Sequence, residues 1–466
     1  MPADVQTRWA ATPLGERLRV VRAGRQRMAS RAEDFAAAIS PLLARNKADT
    51  LVTELLPLLD ACRFLEREAI RLLAPRKLGR RGRPLWLRGV AAEIHREPLG
   101  HVLVIGPSNF PLFLPGVQAI QALVAGNIVT WKPGAGGGAV ALLVAEVLHE
   151  AGLLEGVLTV TDDSVEAAQS ALAAKPDKVV FTGSAKSGES VLSRLAETAT
   201  PAVVELSGAD AIVVTPSADL AQVAKVVAFG LRLNGGAVCM SPRRLFATPT
   251  TMSALRPLLD AELANVPAVL LNPATSARLR SMLDEAVAGG AIIRGMLEPG
   301  EQRPLLVDRA EAEMAITHSD LFAPVISLLE VESILQMPAM YAQCPYALTV
   351  SIFCGKGDEK KARELAKVLK AGTVLINDVI APTADPRVPF GGRGASGYGI
   401  TRGAEGLLEM TAVKTLLIRR GGAMRHLDAT SDEDTQLFAA LICAMHGKGL
   451  VTRWAALKQI VTSARR

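Results

Sequence analysis

Between residues 101 and 205, short apolar segments alternate with helix-like segments, and this alternation is what most limits the fold. Strands are predicted over 101–105, 128–131, 157–160, 178–181 and 201–205. The segments between them place apolar residues three or four positions apart, as amphipathic helices do. Strands joined by helices of roughly ten residues or more form βαβ units and a parallel sheet.

A second α/β set follows, with strands predicted over 211–214, 244–247, 349–353 and 373–376 and helices over 220–231, 252–263 and 359–369. The first 75 residues are predicted to be helical, and 76–83 to be a basic, glycine-containing break. We therefore expect an α/β protein with two doubly wound parallel-sheet domains. The last 40 or so residues are predicted to form an appended helical piece.

Composition excludes several classes of protein. With 466 residues, of which 49% are hydrophobic, the chain has enough apolar material for several cores. The net charge of +6 comes from two local basic segments, over 73–90 and after 435, so a general nucleic-acid binder is not expected. The longest apolar run, 437–445, is shorter than the ~18 residues of a membrane span.

The cysteines and the N-terminus indicate the compartment. The five cysteines are widely spaced and form no CxxC pair, which predicts free thiols and neither a disulfide framework nor a metal site. No apolar stretch follows the arginine-rich N-terminus, as a signal peptide would require. The expected location is the cytoplasm.

Two glycine-containing turns could bind phosphate. Gly134, Gly136 and Ala139 fit the G-x-G-x-x-A pattern of dinucleotide sites, with Glu155 further on, but the pattern is short and arises easily by chance. Gly183 and Ser184 lie between a strand and a helix, where amides and a hydroxyl suit phosphate. The alternative for Ser184 is an ordinary helix N-cap.

Three residues could carry chemistry. Cys239 follows a glycine-rich turn and could be a nucleophile, although a lone cysteine is more often a buried apolar residue. Glu205 and Asn109 each follow a strand, where open α/β sheets place catalytic groups. Each also has a structural explanation, as an edge carboxylate or a turn asparagine.

Nine segments, in order over about residues 15 to 420, together resemble the aldehyde dehydrogenase superfamily. They are Arg96-Glu-Pro-Leu-Gly100, Ile105-Gly-Pro-Ser-Asn-Phe-Pro111, Trp131-Lys-Pro133, Phe181-Thr-Gly-Ser184, Glu205-Leu-Ser-Gly208, Gly235-Gly-Ala-Val-Cys239, Leu321-Phe-Ala-Pro-Val325, Ile376-Asn-Asp378 and Pro389-Phe-Gly-Gly392 with Ser396-Gly397.

The resemblance implies an enzyme that oxidises an aldehyde to a carboxylic acid with NAD or NADP. Cys239 would attack the carbonyl as a thiolate, the Asn109 amide would stabilise the oxyanion, and Glu205 would activate the water that hydrolyses the thioester. The implied cofactor residues are Pro107, Ser108, Lys132, Gly183, Ser184, Asp320 and Phe322.

Two departures from the family pattern affect which cofactor is expected to bind and how closely its ribose is held. Ala135 stands where the family often has a glutamate that repels a 2′-phosphate, while Lys132 remains to pair with one. Acceptance of NADP is therefore predicted. Asp320 replaces the usual glutamate and is one methylene shorter, so a looser ribose contact is expected.

The resemblance also implies a domain plan and a homodimer. Residues 1–89 and 103–205 would form the dinucleotide-binding domain, 206–410 the catalytic domain, 90–102 and 411–420 the bridging and oligomerisation strands, and 421–466 a C-terminal helical extension. The apolar and basic spacing after Leu450 is more typical of a helix packed on the body or a partner subunit. Peripheral contact with an anionic membrane is the alternative.

Two other functions stay open at this point. Relatives that pass the acyl group to coenzyme A commonly lack a glutamate at the position of Glu205, so Glu205 favours hydrolysis. A non-catalytic scaffold on the same fold would have no need for Asn109, Glu205 and Cys239 together.

Overall fold

The computed structural model describes residues 2–39, 43, 45–298, 300–421 and 424–463. These fall into two units, one comprising the chain up to residue 75 and 95–414, the other comprising 76–94 and the chain from 415. Arg465 and Arg466, part of the predicted basic C-terminal segment, lie outside the described residues.

The beginning of the chain is helical, as the apolar spacing predicts. Its helices are α1 (Pro2–Ala11), α2 (Leu14–Ser30), α3 (Ala32–Ala38), α4 (Lys47–Thr50) and, after a π-helical turn (Leu51–Leu55), α5 (Leu56–Leu73). Their buried side chains, Met28, Phe35 and Leu58 among them, belong to the largest core cluster of the first unit.

The predicted basic break is partly wrong. It contains strand β1 (Arg76–Leu78), which pairs antiparallel with β2 (Val90–Pro98), so that Arg76 lies opposite Ile94. The three side chains of β1 are exposed, which explains why no apolar alternation indicated a strand.

The first sheet confirms the predicted alternation. Its strands and helices are β3 (His101–Ile105), α6 (Phe113–Ala125), β4 (Ile128–Lys132), α7 (Gly138–Glu150), β5 (Leu158–Val160), α8 (Val165–Ala173), β6 (Lys178–Thr182), α9 (Ala185–Ala196) and β7 (Ala202–Glu205). The strands are parallel in the order β7-β6-β3-β4-β5. Successive strands are added on one side of β3 as far as β5 and then on its other side from β6, so the strand order reverses between β3 and β6. Ligands bind at the carboxyl ends of the strands at such a point.

A second α/β region begins with β8, which four residues separate from β7. Its first elements are β8 (Asp210–Val214), α10 (Leu220–Arg232), β9 (Pro242–Ala247), α11 (Pro249–Leu263), β10 (Val269–Leu270), α12 (Pro273–Ala288), β11 (Ile292–Arg294), β12 (Glu301–Gln302), β13 (Leu305–Asp308) and β14 (Val325–Glu330). The remaining elements of this region are α13 (Met337–Tyr341), β15 (Tyr346–Ala347), β16 (Thr349–Phe353), α14 (Glu359–Val368), β17 (Thr373–Ile376), β18 (Arg393–Gly394), β19 (Gly397–Tyr398) and α15 (Gly403–Glu409).

The second sheet has seven strands in the order β11-β13-β14-β9-β8-β16-β17. In this order β11 alone pairs antiparallel with its neighbour. Because β7 leads directly into β8, the carboxyl edge of the first sheet meets the amino edge of the second. Strand β19 returns to the first sheet and pairs antiparallel with β7, with Gly397 opposite Glu205.

The chain ends with β20 (Thr411–Arg419), α16 (Thr435–His446) and α17 (Leu450–Ser463). Helices α16 and α17 pack against each other within the second unit. Trp454 on α17 is 64% exposed, and Leu450, Val451 and Val461 are exposed beside it. Among the described residues, no helix has the length and apolar character of a membrane span.

Candidate active site

A cavity of about 700 Å³ lies where the two sheet edges meet. This volume is within the range of small-molecule and cofactor sites. The cavity is lined by all ten catalytic and cofactor residues that the resemblance implies: Pro107, Ser108, Asn109, Lys132, Gly183, Ser184, Glu205, Cys239, Asp320 and Phe322.

Cys239 lies in the turn before β9, and the preceding loop fixes its position. Asn234, Gly235 and Gly236 have consecutive left-handed φ values of 50°, 62° and 76°. A side chain at Gly236 would place its Cβ 2.9 Å from the Ala323 carbonyl oxygen, so only glycine allows this close approach. The guanidinium of Arg243 donates to the carbonyl oxygens of both Gly236 and Ala323, which ties the loop to the segment that carries Asp320.

Asn109 reaches the same loop from the end of β3. Its Nδ2 donates to the Ala237 carbonyl oxygen at 2.9 Å, and Asn234 Nδ2 donates to the Asn109 carbonyl oxygen at 3.2 Å. An amide nitrogen carries two hydrogens, so Asn109 keeps a second donor for a group in the cavity. The segment after Asn109 is also anchored, because buried Glu54 accepts the N–H groups of Leu112 and Phe113.

Glu205 ends β7 and is 3% exposed. Thr401 Oγ1 lies 3.5 Å from its Oε2 and 3.2 Å from the Phe390 carbonyl oxygen, so its single hydrogen is shared between these two acceptors. The other oxygen of Glu205, Oε1, is buried and has no hydrogen-bond partner. Burial raises the pKa of the Glu205 carboxyl, and the nearby Arg402 opposes that rise. A carboxyl of raised pKa can exchange a proton near neutral pH, as a general base must.

The resemblance implies that Cys239 attacks as a thiolate, but the surroundings of this thiol in the folded chain disfavour the charged form. Burial raises the pKa of this thiol well above its ordinary value, and the negative charges of Glu205 and Asp210 raise it further. The positive charge of Arg402 and the hydrogen bond from the Met240 backbone N–H oppose the rise. The thiol is therefore protonated at rest, and forming the nucleophile requires a base.

The structure changes the interpretation of the Gly134 motif. A Cβ on Gly134 would lie 2.2 Å from the Pro107 carbonyl carbon, so this glycine permits the contact between two loops. The Gly136 N–H already donates to Asp163 Oδ2 at 2.7 Å, and Glu155 is exposed. The turn is therefore tightly packed at Gly134, and the N–H of Gly136 is already used and is not free to bind a phosphate.

Ser184 caps α9, as the helix N-cap interpretation predicts, and it also lines the cavity together with Gly183. Ser184 Oγ accepts the Ser187 N–H and caps α9, while the Gly183 N–H donates to the Glu205 carbonyl oxygen at 3.1 Å. The sequence interpretation missed Ser187, Ser190 and Arg194, which extend the polar wall of the cavity along α9. Their spacing of three or four residues on one helix was the available signal.

Lys132 has acidic neighbours that the sequence interpretation also missed. Burial lowers the pKa of Lys132, and Asp163 and then Asp162 oppose this. Both aspartates follow β5 at the carboxyl edge of the sheet, so the rule that identified Asn109 could have identified them. Similarly, Asp320 Oδ1 accepts a hydrogen bond from Arg278 Nη2 at 3.1 Å, an ion pair that no motif indicated.

The cavity fits a dinucleotide. Val165 and Leu172 form an apolar part of the wall, and the exposed fraction of Val165 is 66%. Lys132, Arg194 and the α9 serines supply cationic and hydroxyl groups that suit ribose and phosphate, and Phe322 also lines the cavity.

Comparison with known proteins agrees with this geometry. Residues 3–416 match the model of the aldehyde dehydrogenase family, so the chain belongs to that family. The chain is 31% identical to a vanillin dehydrogenase of Pseudomonas fluorescens over 353 residues, which cover 72% of each chain.

Solved structures also match. The aldehyde dehydrogenase of Mycobacterium tuberculosis complexed with NAD+ aligns with a TM-score of 0.81 and 25% identity, over 89% of this chain and 88% of that one. The NADP-dependent glyceraldehyde-3-phosphate dehydrogenase from Bacillus halodurans C-125 complexed with NADP aligns with a TM-score of 0.81 and 26% identity, over 89% of each. The expected doubly wound fold and NAD(P)-dependent oxidation of an aldehyde are confirmed.

Proposed function

We propose that Cys239 is the nucleophile, that the Asn109 amide and the Cys239 backbone N–H stabilise the oxyanion, and that Glu205 is the general base. The observation that carries this proposal is that all three side chains line one cavity with the predicted cofactor residues. Lys132 and Ser184 would bind the adenosine ribose and pyrophosphate, and Asp320 with Phe322 the nicotinamide end.

In the first step Glu205 takes the thiol proton and the Cys239 sulfur bonds the aldehyde carbon. The carbonyl electron pair moves to oxygen, where the Asn109 amide donates to it. A bound dinucleotide supplies the acceptor for the hydride that leaves this carbon, and a thioester on Cys239 remains. Glu205, having released the first proton to solvent, then takes a proton from water while hydroxide attacks the thioester and the thiolate leaves.

The nucleophile is tested with Cys239→Ser and a matched control, Cys443→Ser, which alters another half-buried free cysteine. Formation of reduced cofactor is followed at 340 nm, and NAD binding by quenching of protein fluorescence. Cys239→Ser should abolish turnover and retain cofactor binding, while Cys443→Ser should keep both. Turnover by Cys239→Ser would remove Cys239 from this role.

The base is tested with Glu205→Gln. Because Glu205 takes a proton from the Cys239 thiol before hydride transfer and from water after it, the variant should slow both the burst of reduced cofactor and steady-state turnover, each by about 10²–10⁴-fold. Assays with and without coenzyme A distinguish water from coenzyme A as the acceptor of the acyl group. A wild-type rate that requires coenzyme A would support the acyl-transfer alternative instead.

We propose that the aldehyde has an apolar organic group. Phe110 and Val238, the chain neighbours of Asn109 and Cys239, share one buried apolar cluster with Val379 and Ile380, against which Leu114 and Met240 pack. A panel comparing hexanal and benzaldehyde with succinic semialdehyde tests this. Higher kcat/KM for the carboxylated aldehyde would contradict it.

The domain boundaries, the homodimer and the cytoplasmic location are part of the same proposal. Val413, Leu416 and Leu417 on β20 are exposed, as an edge strand that pairs with a second copy requires. All five cysteines carry free thiols, which suits a reducing compartment. Light scattering tests the dimer, and Leu417→Lys should yield a monomer.

A further inference from the structure

A buried arginine that no motif indicated lies behind the proposed catalytic pair. Arg402 precedes α15 and is only 4% exposed. Its φ is 62°, in the left-handed region that residues with a side chain rarely adopt. Arg402 therefore combines a rarely adopted backbone conformation with a buried side chain.

Three contacts fix that guanidinium. Its Nη1 donates to the Thr383 carbonyl oxygen at 2.6 Å. Its central carbon lies 4.3 Å from the centroid of the Phe390 ring and 5.4 Å from that of Phe113. A cation over aromatic faces is attracted by their quadrupoles, so the charge is retained although it is buried.

The guanidinium also has unused donors. Nε and Nη2 of Arg402 are buried without a hydrogen-bond partner, and the same holds for Oε1 of Glu205. Buried polar groups are nearly always paired, so unpaired ones call for an explanation. Here they belong to Glu205, the proposed base, and to Arg402, which interacts electrostatically with it.

The backbone brings Arg402 to Glu205. Gly397 pairs with Glu205 across β19 and β7, and the chain continues to Thr401, whose hydroxyl oxygen lies 3.5 Å from Glu205 Oε2. Thr401 is itself pinned by two backbone hydrogen bonds to Phe390, of 2.8 and 2.7 Å. Arg402 is the next residue, so its position follows from this ladder.

We propose that Arg402 is a positioning residue of this site, whose fixed positive charge keeps the Glu205 carboxylate ionised and eases formation of the Cys239 thiolate. This inference rests on the proposed roles of those two residues. The two groups interact electrostatically with Arg402, which lowers the pKa of both against the effect of burial. The other charged groups that act on Cys239 are Asp210, which opposes Arg402, and Arg243, whose donors are used by two carbonyl oxygens.

The test is the pH dependence of turnover by Arg402→Leu and Arg402→Lys. Without the positive charge of Arg402 the pKa of Glu205 rises. The acidic limb of the pH profile, where kcat falls as the pH is lowered, should therefore move to higher pH by about one unit. Arg402→Lys restores a cation, so its pH profile should lie closer to that of the wild type. Arg402→Gln, polar and uncharged, makes the same comparison if Arg402→Leu does not fold.

A second readout follows the thiol itself. The rate of iodoacetamide alkylation at Cys239, resolved by mass spectrometry from the other cysteines, is measured against pH. The midpoint of this pH dependence should lie at higher pH in Arg402→Leu and Arg402→Gln than in the wild type. In Arg402→Lys it should return toward the wild-type value. A residue that only supports the fold would leave this midpoint unchanged.

Arg17→Leu is the matched control. Arg17 is also buried and also has two nitrogens without partners, but it lies in α2 against Gly126. Arg17→Leu should lower the melting temperature. It should leave the pH dependence of kcat and that of Cys239 alkylation as they are in the wild type. Unchanged profiles in folded Arg402→Leu or Arg402→Gln would overturn the inference.

Glu205→Gln separates this outcome from failure of the proposed function. If Glu205→Gln removes the acidic limb while the Arg402 variants leave it unmoved, only the role of Arg402 is wrong. If the limb survives in Glu205→Gln, the proposed base is wrong, and the inference about Arg402 is overturned with it.

Discussion

The side-chain amide of Asn109 donates a hydrogen bond to the carbonyl oxygen of Ala237, 2.9 Å away and 128 positions further along the chain. Asn234 adds donors to the Asn109 and Ala237 carbonyl oxygens, each at 3.2 Å. The proposed oxyanion donor is thus fixed relative to the Cys239 loop before a substrate arrives. Donors oriented in advance need no reorganisation during the reaction.

Asn109→Ala should therefore lower kcat by about 10²–10³-fold, the usual effect of losing one oxyanion donor. Stopped-flow measurement of the hydride burst is the appropriate assay, because this step follows oxyanion formation. The control is Asn265→Ala, which removes an exposed amide that bonds only the Ala261 carbonyl oxygen. A burst rate within about threefold of the wild type would exclude Asn109 as the donor.

The aspartates beside Lys132 should affect cofactor choice. A 2′-phosphate near Lys132 would also face Asp163 and Asp162, and like charges repel. Asp163→Asn keeps the oxygen that accepts the Gly136 N–H and removes the charge. The ratio of kcat/KM for NADP to that for NAD should rise on the order of tenfold, or about 1.4 kcal/mol.

The control for that change is Glu166→Gln, which removes an exposed charge from the first turn of α8. It should leave the NADP to NAD ratio unchanged. A ratio in Asp163→Asn equal to that of the wild type would mean that Ala135 and Lys132 set the preference without these carboxylates.

Two nearby glycines should respond oppositely to alanine. At Gly134 the new Cβ would lie 2.2 Å from the Pro107 carbonyl carbon, so two backbone segments must separate, and one of them carries Asn109. Gly134→Ala should lower the free energy of unfolding by about 1–3 kcal/mol and reduce kcat. At Gly138, at the start of α7, no atom lies within 4 Å of a new Cβ. Gly138→Ala should be neutral or slightly stabilising in urea denaturation; equal losses at both sites would contradict the predicted contact.

Asp210 should make stability depend on pH. Burial raises the pKa of its carboxyl to about 7, although Thr349 donates to both oxygens. The folded state then binds more protons than the unfolded state between pH ~4 and ~7, so the free energy of unfolding falls as pH rises through this window, by roughly 4 kcal/mol from this group.

Urea denaturation at pH 5 and pH 8 checks this linkage. In Asp210→Asn the difference in unfolding free energy between the two pH values should shrink relative to the wild type. Asp428→Asn, an exposed change, should keep the wild-type difference. An unaltered pH dependence in Asp210→Asn would show that Asp210 is already ionised at the lower pH.

The sequence by itself determined the alternating architecture, because the apolar periods of strands and helices are local properties. The strands over 101–105 and 349–353 match those observed, residue for residue. The strands from Leu305 to Asp308 and from Val325 to Glu330 were missed, because periodicity alone does not distinguish a short buried strand from a buried helix segment. Strand β1 was missed for the opposite reason, since all its side chains face solvent.

Ordered motifs likewise brought Cys239, Glu205 and Asn109 to attention, since each is marked by its chain neighbours. Only the tertiary structure decided what surrounds them: Arg402 behind Glu205, Asp163 beside Lys132 and Arg278 on Asp320. It also decided that the thiol is protonated at rest, because burial and neighbouring charge are absent from the linear chain. Electrostatic energies depend on distances between residues far apart in sequence, and those distances exist only once the two sheets have packed.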